Sequence, residues 1–100
     1  GIHFPDTDAK YKGIDSKLLL TKVVELIQER GYMVGNVDAV LTLQAPKIKD
    51  YIAAMTNVLT KILQVSPDAL SIKATTAEKL GFVGQFEGVE ARAVALLYKI

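Results

Sequence analysis

The sequence contains no cysteine, which excludes a disulfide framework and thiolate chemistry while saying little about compartment. Its single histidine is His3. A catalytic zinc site normally takes about three protein ligands, usually His, Cys or carboxylate, so this chain cannot furnish the usual set. No apolar run exceeds a few residues, far short of the roughly 20 that cross a bilayer, and no signal-like apolar segment opens the chain. An excess of one charge is missing too. Lys+Arg number 12 and Asp+Glu 11, for a formal net charge of +1, and no basic stripe of the nucleic-acid-binding kind emerges. Apolar residues are plentiful at 50% of the 100 residues, with 23% charged. That suffices for a core and argues against a disordered tail. The length allows one domain. The chain begins Gly1-Ile2-His3 inside a motif-rich stretch, so further residues are expected upstream.

Residues 3–15 carry turn residues without apolar periodicity and read as a polar loop. Ser16 is placed to cap a helix over 16–30, with Leu19, Val23, Leu26 and Ile27 at helical spacing and Gly31 as its stop. The period then changes to two. Over 32–45, Val37, Ala39, Leu41, Leu43 and Ala45 fall on one strand face, and Asn36, Asp38, Val40, Thr42 and Gln44 on the other. The first face is expected to pack on helices. The second, too polar for that, suits a subunit interface or a wet wall. Pro46 stops the strand and fits the first turn of a second helix. That helix carries Ile48, Ile52, Met55, Leu59 and Ile62 at spacings of four and three, widened by Tyr51 and Leu63. Ser66-Pro67-Asp68 reads as a capped turn, Leu70–Thr75 as a short strand, Gly81, Gly84 and Gly88 as a glycine-rich loop, and Val89–Ile100 as a long strand. The order predicts an α+β two-layer sandwich, with helices on one face of a mixed sheet and the polar face uncovered.

Three stretches could carry chemistry. Thr75-Thr76-Ala77-Glu78 fits the Thr-x-x-Glu capping box, and as such needs no function. It also fits an anion site, where hydroxyls and free N–H groups meet phosphate oxygens. Glu78 would repel those phosphates unless a divalent cation lay between them, which makes it a candidate Mg²⁺ or Mn²⁺ ligand. Gln44-Ala45-Pro46-Lys47 is structurally a strand stop, but strand ends are also frequent ligand crevices. Phe4-Pro5-Asp6-Thr7-Asp8 is a polar turn whose two aspartates could bind a cation or serve in acid–base work. His3, beside Phe4, reads first as a packing or surface residue.

Taken in order, FPDTD, KGIDS, GYMVGNVD, QAPK, IKATTAEKLGFVGQFEGV and ARAVALL resemble the 2-C-methyl-D-erythritol 2,4-cyclodiphosphate synthase family over all 100 residues, which would form the C-terminal portion of one synthase domain. The resemblance implies a homotrimer with sheets facing the threefold axis, helices outside, and a site at each subunit boundary. It implies cyclisation of 4-diphosphocytidyl-2-C-methyl-D-erythritol 2-phosphate with release of CMP, in bacterial cytoplasm or a plastid. No nucleic acid or membrane partner is expected. Zinc would be held by residues upstream of Gly1, and Mg²⁺ or Mn²⁺ at the diphosphate.

Position by position, Leu43, Gln44, Ala45, Pro46, Lys47, Ile48 and Lys49 resemble the pocket for cytosine and the nucleotide phosphates. Thr75, Thr76, Ala77 and Glu78 resemble the diphosphate-binding turn, with Thr76 in the role of transition-state stabiliser and Glu78 as ligand of the second divalent ion. Gly1, Phe4, Pro5, Asp6, Thr7 and Asp8 resemble the loop that closes on the methylerythritol portion. Phe82 matches an aromatic at the trimer axis. Gln85 stands where many members have an arginine facing an axial cavity, and a neutral amide cannot pair charge for charge with an isoprenoid diphosphate. Two other readings stay open: the synthase half of a fused cytidylyltransferase–synthase, and a non-catalytic trimeric binding scaffold.

Overall fold

The computed structural model describes residues 3–4 and 13–100. Its elements are α1 (Ser16–Glu29), β1 (Tyr32–Thr42), α2 (Ile52–Leu63), β2 (Leu70–Thr75), a short α3 (Gly81–Gly84) and β3 (Glu90–Lys99). Single 3₁₀ turns precede α2 at Lys49–Tyr51 and β2 at Pro67–Ala69. The sheet runs β2-β1-β3, with β1 parallel to β2 and antiparallel to β3. This is the expected α+β fold with a mixed sheet.

Helix α1 starts one residue earlier than Ser16 suggests. Asp15 is its N-cap, accepting from the Lys17 N–H at 2.8 Å, and Ser16 lies inside the first turn. A carboxylate there satisfies one of the otherwise orphaned N–H groups and meets the positive end of the helix dipole. Gly31, at φ 83°, supplies the left-handed exit. The inward stripe is also turned slightly from expectation: Leu20 and Val24 join Val23 and Ile27, and Val24 is only 3% exposed.

Val24, Val34, Leu63 and Leu70 form the buried cluster, with Leu20, Ile27, Val37, Leu59, Val65 and Ile72 packed around it. Val34 and Val37 both serve this core although three residues apart. A register shift between Val34 and Asn36, at Gly35, makes that possible by inserting one extra residue on β1. Beyond it the predicted alternation holds, with Val37, Ala39 and Leu41 toward the helices. In α2, Thr60 is buried as well, its Oγ1 donating to the Thr56 carbonyl at 2.8 Å. Tyr51, expected to widen the apolar stripe, is 63% exposed because the α-helix begins only after it.

Three further expectations are corrected. β1 leaves the ladder after Thr42 instead of reaching Ala45, although the Leu43 N–H still donates to the Thr75 carbonyl at 3.0 Å. Pro46 does not open α2; it follows a cis Ala45-Pro46 bond in a bend, and helical backbone starts at Lys49. The Thr-x-x-Glu pattern caps no helix. Ala77–Leu80 is a reverse turn closed by the Leu80 N–H on the Ala77 carbonyl at 2.9 Å, and α3 starts only at Gly81.

The face of the sheet turned away from the helices carries a charged end and an apolar end. Lys73 pairs with Asp38 and Arg92 with Glu90 at one end, all on the outward register. Toward the other, Val94, Leu96 and Tyr98 lie exposed opposite Asp38, Asn36 and Met33.

Candidate functional site

Parallel pairing of β1 with β2 sets Thr42 beside Thr75. Whatever follows Thr42 is therefore carried alongside whatever follows Thr75. The two connections enclose a cleft of about 200 Å³ lined by Leu43, Gln44, Pro46, Lys47, Ile48, Lys49, Ala74, Thr75 and Thr76. Two motifs about thirty residues apart in sequence thus share one wall-to-wall space. The lining holds two lysines, two threonine hydroxyls and no carboxylate. Such a set suits an anion, since ammonium groups and hydroxyls donate to phosphate oxygens. The side chains of Lys47, Lys49, Thr75 and Thr76 are exposed and so open to a ligand.

Gln44 is different. It is half-buried, and its Oε1 is fully enclosed without a hydrogen-bond partner among the described residues. The Thr75 hydroxyl donates weakly to the Thr76 carbonyl at 3.3 Å.

Of the predicted residues, Ala45 belongs to the same connection without lining the cleft, and Ala77 and Glu78 continue from it into the next turn. Glu78, at φ 52°, and Lys79, at φ 63°, are both left-handed. Phe82, 53% exposed, sits in α3 and covers Gly88, where a Cβ would come within 3.1 Å of its ring. Gln85 is exposed but not idle: its Nε2 donates to the Lys79 carbonyl at 2.9 Å.

Phe4 is half-buried and lines a separate cavity of about 560 Å³ with His3, Val23, Leu26, Ile27, Arg30, Tyr32 and Leu97, none of which borders the lysine–threonine cleft. The rings of His3 and Phe4 are 6.4 Å apart at 57°. Gly1, Pro5, Asp6, Thr7 and Asp8 lie outside the described residues.

One cleft residue is not marked by the sequence, and one glycine is marked there only as part of a loop. Ala74 lines the cleft because it precedes Thr75 on β2. Gly84 is buried against Lys79, where a Cβ would lie 2.2 Å from the carbonyl carbon. Ala74 offers no signal of its own. Gly84 offers one that was read too generally, as one glycine of a loop.

Metals can be weighed by the donors present. Among the described residues no three His, Cys, Asp or Glu side chains converge. A single carboxylate such as Glu78 suits Mg²⁺ or Mn²⁺ only where phosphate oxygens supply further ligands. No helix among the described residues is long and apolar enough to cross a membrane.

Comparison with known proteins bears on family and fold. A model described as the YgbB family matches residues 1–98. The 2-C-methyl-D-erythritol 2,4-cyclodiphosphate synthase of Porphyromonas gingivalis is 52% identical over 97 residues, covering 97% of this chain and 60% of that protein. Among solved structures, the bifunctional IspDF from Campylobacter jejuni superposes with a TM-score of 0.94 at 35% identity, covering the whole chain and 27% of that protein. A CDP-bound 2C-methyl-D-erythritol-2,4-cyclodiphosphate synthase superposes with a TM-score of 0.87 at 32% identity, covering 98% of this chain and 63% of that one. The chain therefore spans about three fifths of the length of the first curated relatives it matches.

Proposed function

Since the chain belongs to the YgbB family, we propose that it serves the cyclodiphosphate synthase reaction, converting 4-diphosphocytidyl-2-C-methyl-D-erythritol 2-phosphate to 2-C-methyl-D-erythritol 2,4-cyclodiphosphate and CMP. The observation that carries the proposal is the meeting of Gln44–Lys49 and Ala74–Thr76 around one cleft with cationic and hydroxyl donors. In the reaction an oxygen of the substrate's 2-phosphate bonds to the β-phosphorus. The bond from that phosphorus to the bridging oxygen breaks, and its electron pair leaves with CMP. Such a displacement requires positioning and charge neutralisation more than covalent help.

Residues 43–49 hold the nucleotide, with Lys47 and Lys49 near its phosphates. Thr75 and Thr76 offer hydroxyls to the diphosphate, and Thr76 donates most strongly as charge shifts in the transition state. Glu78 would hold Mg²⁺ or Mn²⁺, and such an ion would supply charge neutralisation at the diphosphate. Gly1, Phe4, Pro5, Asp6, Thr7 and Asp8 remain assigned to the methylerythritol end, and the zinc requirement is assigned to residues outside this chain.

The cleft is smaller than the roughly 300–1,000 Å³ of typical ligand pockets, so a nucleotide-linked sugar needs a second wall. A neighbouring subunit is the source we favour, in a homotrimer packed through the outward sheet face. Exposed Val94, Leu96 and Tyr98 give that face apolar area to bury. The Campylobacter protein, bifunctional and alike along the whole chain, makes a fused arrangement an equally good frame for the same site. The mass of the intact protein separates the two.

The test uses the full-length gene product. CMP release from the substrate is expected, together with calorimetric CDP binding that Lys47→Ala weakens roughly tenfold, as for loss of a charge-assisted hydrogen bond. CDP binding without turnover supports the binding scaffold instead. Binding untouched by substitutions in 43–49 refutes the site, and light scattering that reports a monomer refutes the trimer.

A further inference from the structure

The turn after Thr76 is held in a way that the reading above does not use. Its central residues, Glu78 and Lys79, both have positive φ and neither is glycine. A single such residue is uncommon, and two in succession persist only where the surroundings enforce them. Two features enforce them here. The Gln85 Nε2 donates to the Lys79 carbonyl at 2.9 Å. Gly84 presses on the same peptide so closely that any side chain would collide with it, a Cβ lying 2.2 Å from the Lys79 carbonyl carbon. Both residues are fixed in turn by α3: the Gly84 N–H reaches the Leu80 carbonyl and the Gln85 N–H the Gly81 carbonyl, each at 3.0 Å, while Val83 is 4% exposed. The Gln85 amide is thus directed onto the peptide that follows Lys79, in the same turn as Glu78.

We propose that Gln85 is a positioning residue for Glu78: by gripping the Lys79 carbonyl it keeps the 77–80 turn left-handed and aims the Glu78 carboxylate at a divalent cation on the bound diphosphate. The proposal rests on the reading in which Glu78 meets that cation. It differs from a role for position 85 in contacting an axial ligand, because the donor is engaged within its own subunit. An exposed carboxylate on a loose turn samples many directions, and a ligand held by its supporting contacts binds metal more tightly.

Two substitutions in the full-length protein isolate the amide. Gln85→Met keeps length and removes the donor; Gln85→Lys keeps a donor. Without ligand, amide exchange over 77–80 is expected to speed up in Gln85→Met and stay near the parent in Gln85→Lys. With CDP present, the free-Mn²⁺ paramagnetic resonance signal is expected to show half-saturation at about tenfold higher Mn²⁺ in Gln85→Met. Parent-like exchange and parent-like Mn²⁺ uptake in Gln85→Met overturn the proposal. Weaker Mn²⁺ uptake with unchanged exchange overturns positioning in favour of a direct contact. If the parent takes up no Mn²⁺ with CDP, the metal role of Glu78 and this aim for Gln85 fall together. Unchanged CDP affinity in that case leaves the nucleotide cleft standing.

Discussion

On the covered side of the sheet, Val37, Ala39 and Leu41 face α1 and α2 by strand period and side-chain volume, and Val34 joins them across the bulge at Gly35. At the strand ends, in 43–49 and 75–86, period plays no part. There the chain is placed by single hydrogen bonds, by left-handed residues at Glu78, Lys79 and Phe86, and by one glycine pressed against a peptide. The first region keeps its shape because many small contacts add up. The second depends on a few contacts. Stability and chemistry are expected to separate along that boundary.

The largest effect expected is on the covered side. Leu63, 8% exposed and in the buried cluster, loses both apolar transfer and packing on truncation. Leu63→Ala should destabilise the full-length protein by about 3 kcal/mol, as buried Leu→Ala changes do, without altering CDP affinity of the folded fraction. Denaturant melts and calorimetry read the two quantities. A shifted affinity would mean that core and cleft are coupled.

Thr76→Ala should show the reverse. Its exposed hydroxyl belongs to no described hydrogen bond, so the melting temperature should hold while kcat and kcat/KM fall together, on the order of a hundredfold, with KM little changed. Near-normal kcat with a lowered melting temperature would make the residue structural.

The same boundary separates what was legible in the sequence from what was not. β2 was found to the residue, and the Val37-Ala39-Leu41 face was found too, because alternation reports burial directly. The Val34–Val37 spacing was missed, since a bulge at Gly35 breaks the period where it matters. Apart from Ala74, the residues around the cleft lie in two motifs that the sequence marks, and the family resemblance assigns them only expected roles. What joins them is the parallel β1–β2 register, which no local pattern encodes. Gln85 was read for the charge it lacks, whereas its position is explained by the carbonyl it holds.

A smaller effect tests the start of α1. Asp15→Ala should cost about 1 kcal/mol, the usual loss at an N-cap, because the Lys17 N–H then has no side-chain acceptor. Ser16→Ala, one residue inside the helix, should be nearly neutral in the same melts. Equal losses at both positions would return the cap to Ser16.

The smallest effect is expected at Thr75, where the sequence pattern taken as a capping box calls for a loss of about 1 kcal/mol. The structure removes the reason for it. No helix starts at Thr75, which ends β2, and its hydroxyl makes one long bond of 3.3 Å to the next carbonyl. The residue is exposed, so truncation leaves no buried group unpaired. The remaining cost is the lower strand preference of alanine against threonine, a few tenths of a kcal/mol at an edge strand. Thr75→Ala should therefore melt within about half a kcal/mol of the parent, while CDP binds more weakly through loss of a hydroxyl on the cleft wall. A loss near 1 kcal/mol with unchanged CDP affinity would restore the capping role and take Thr75 out of the site.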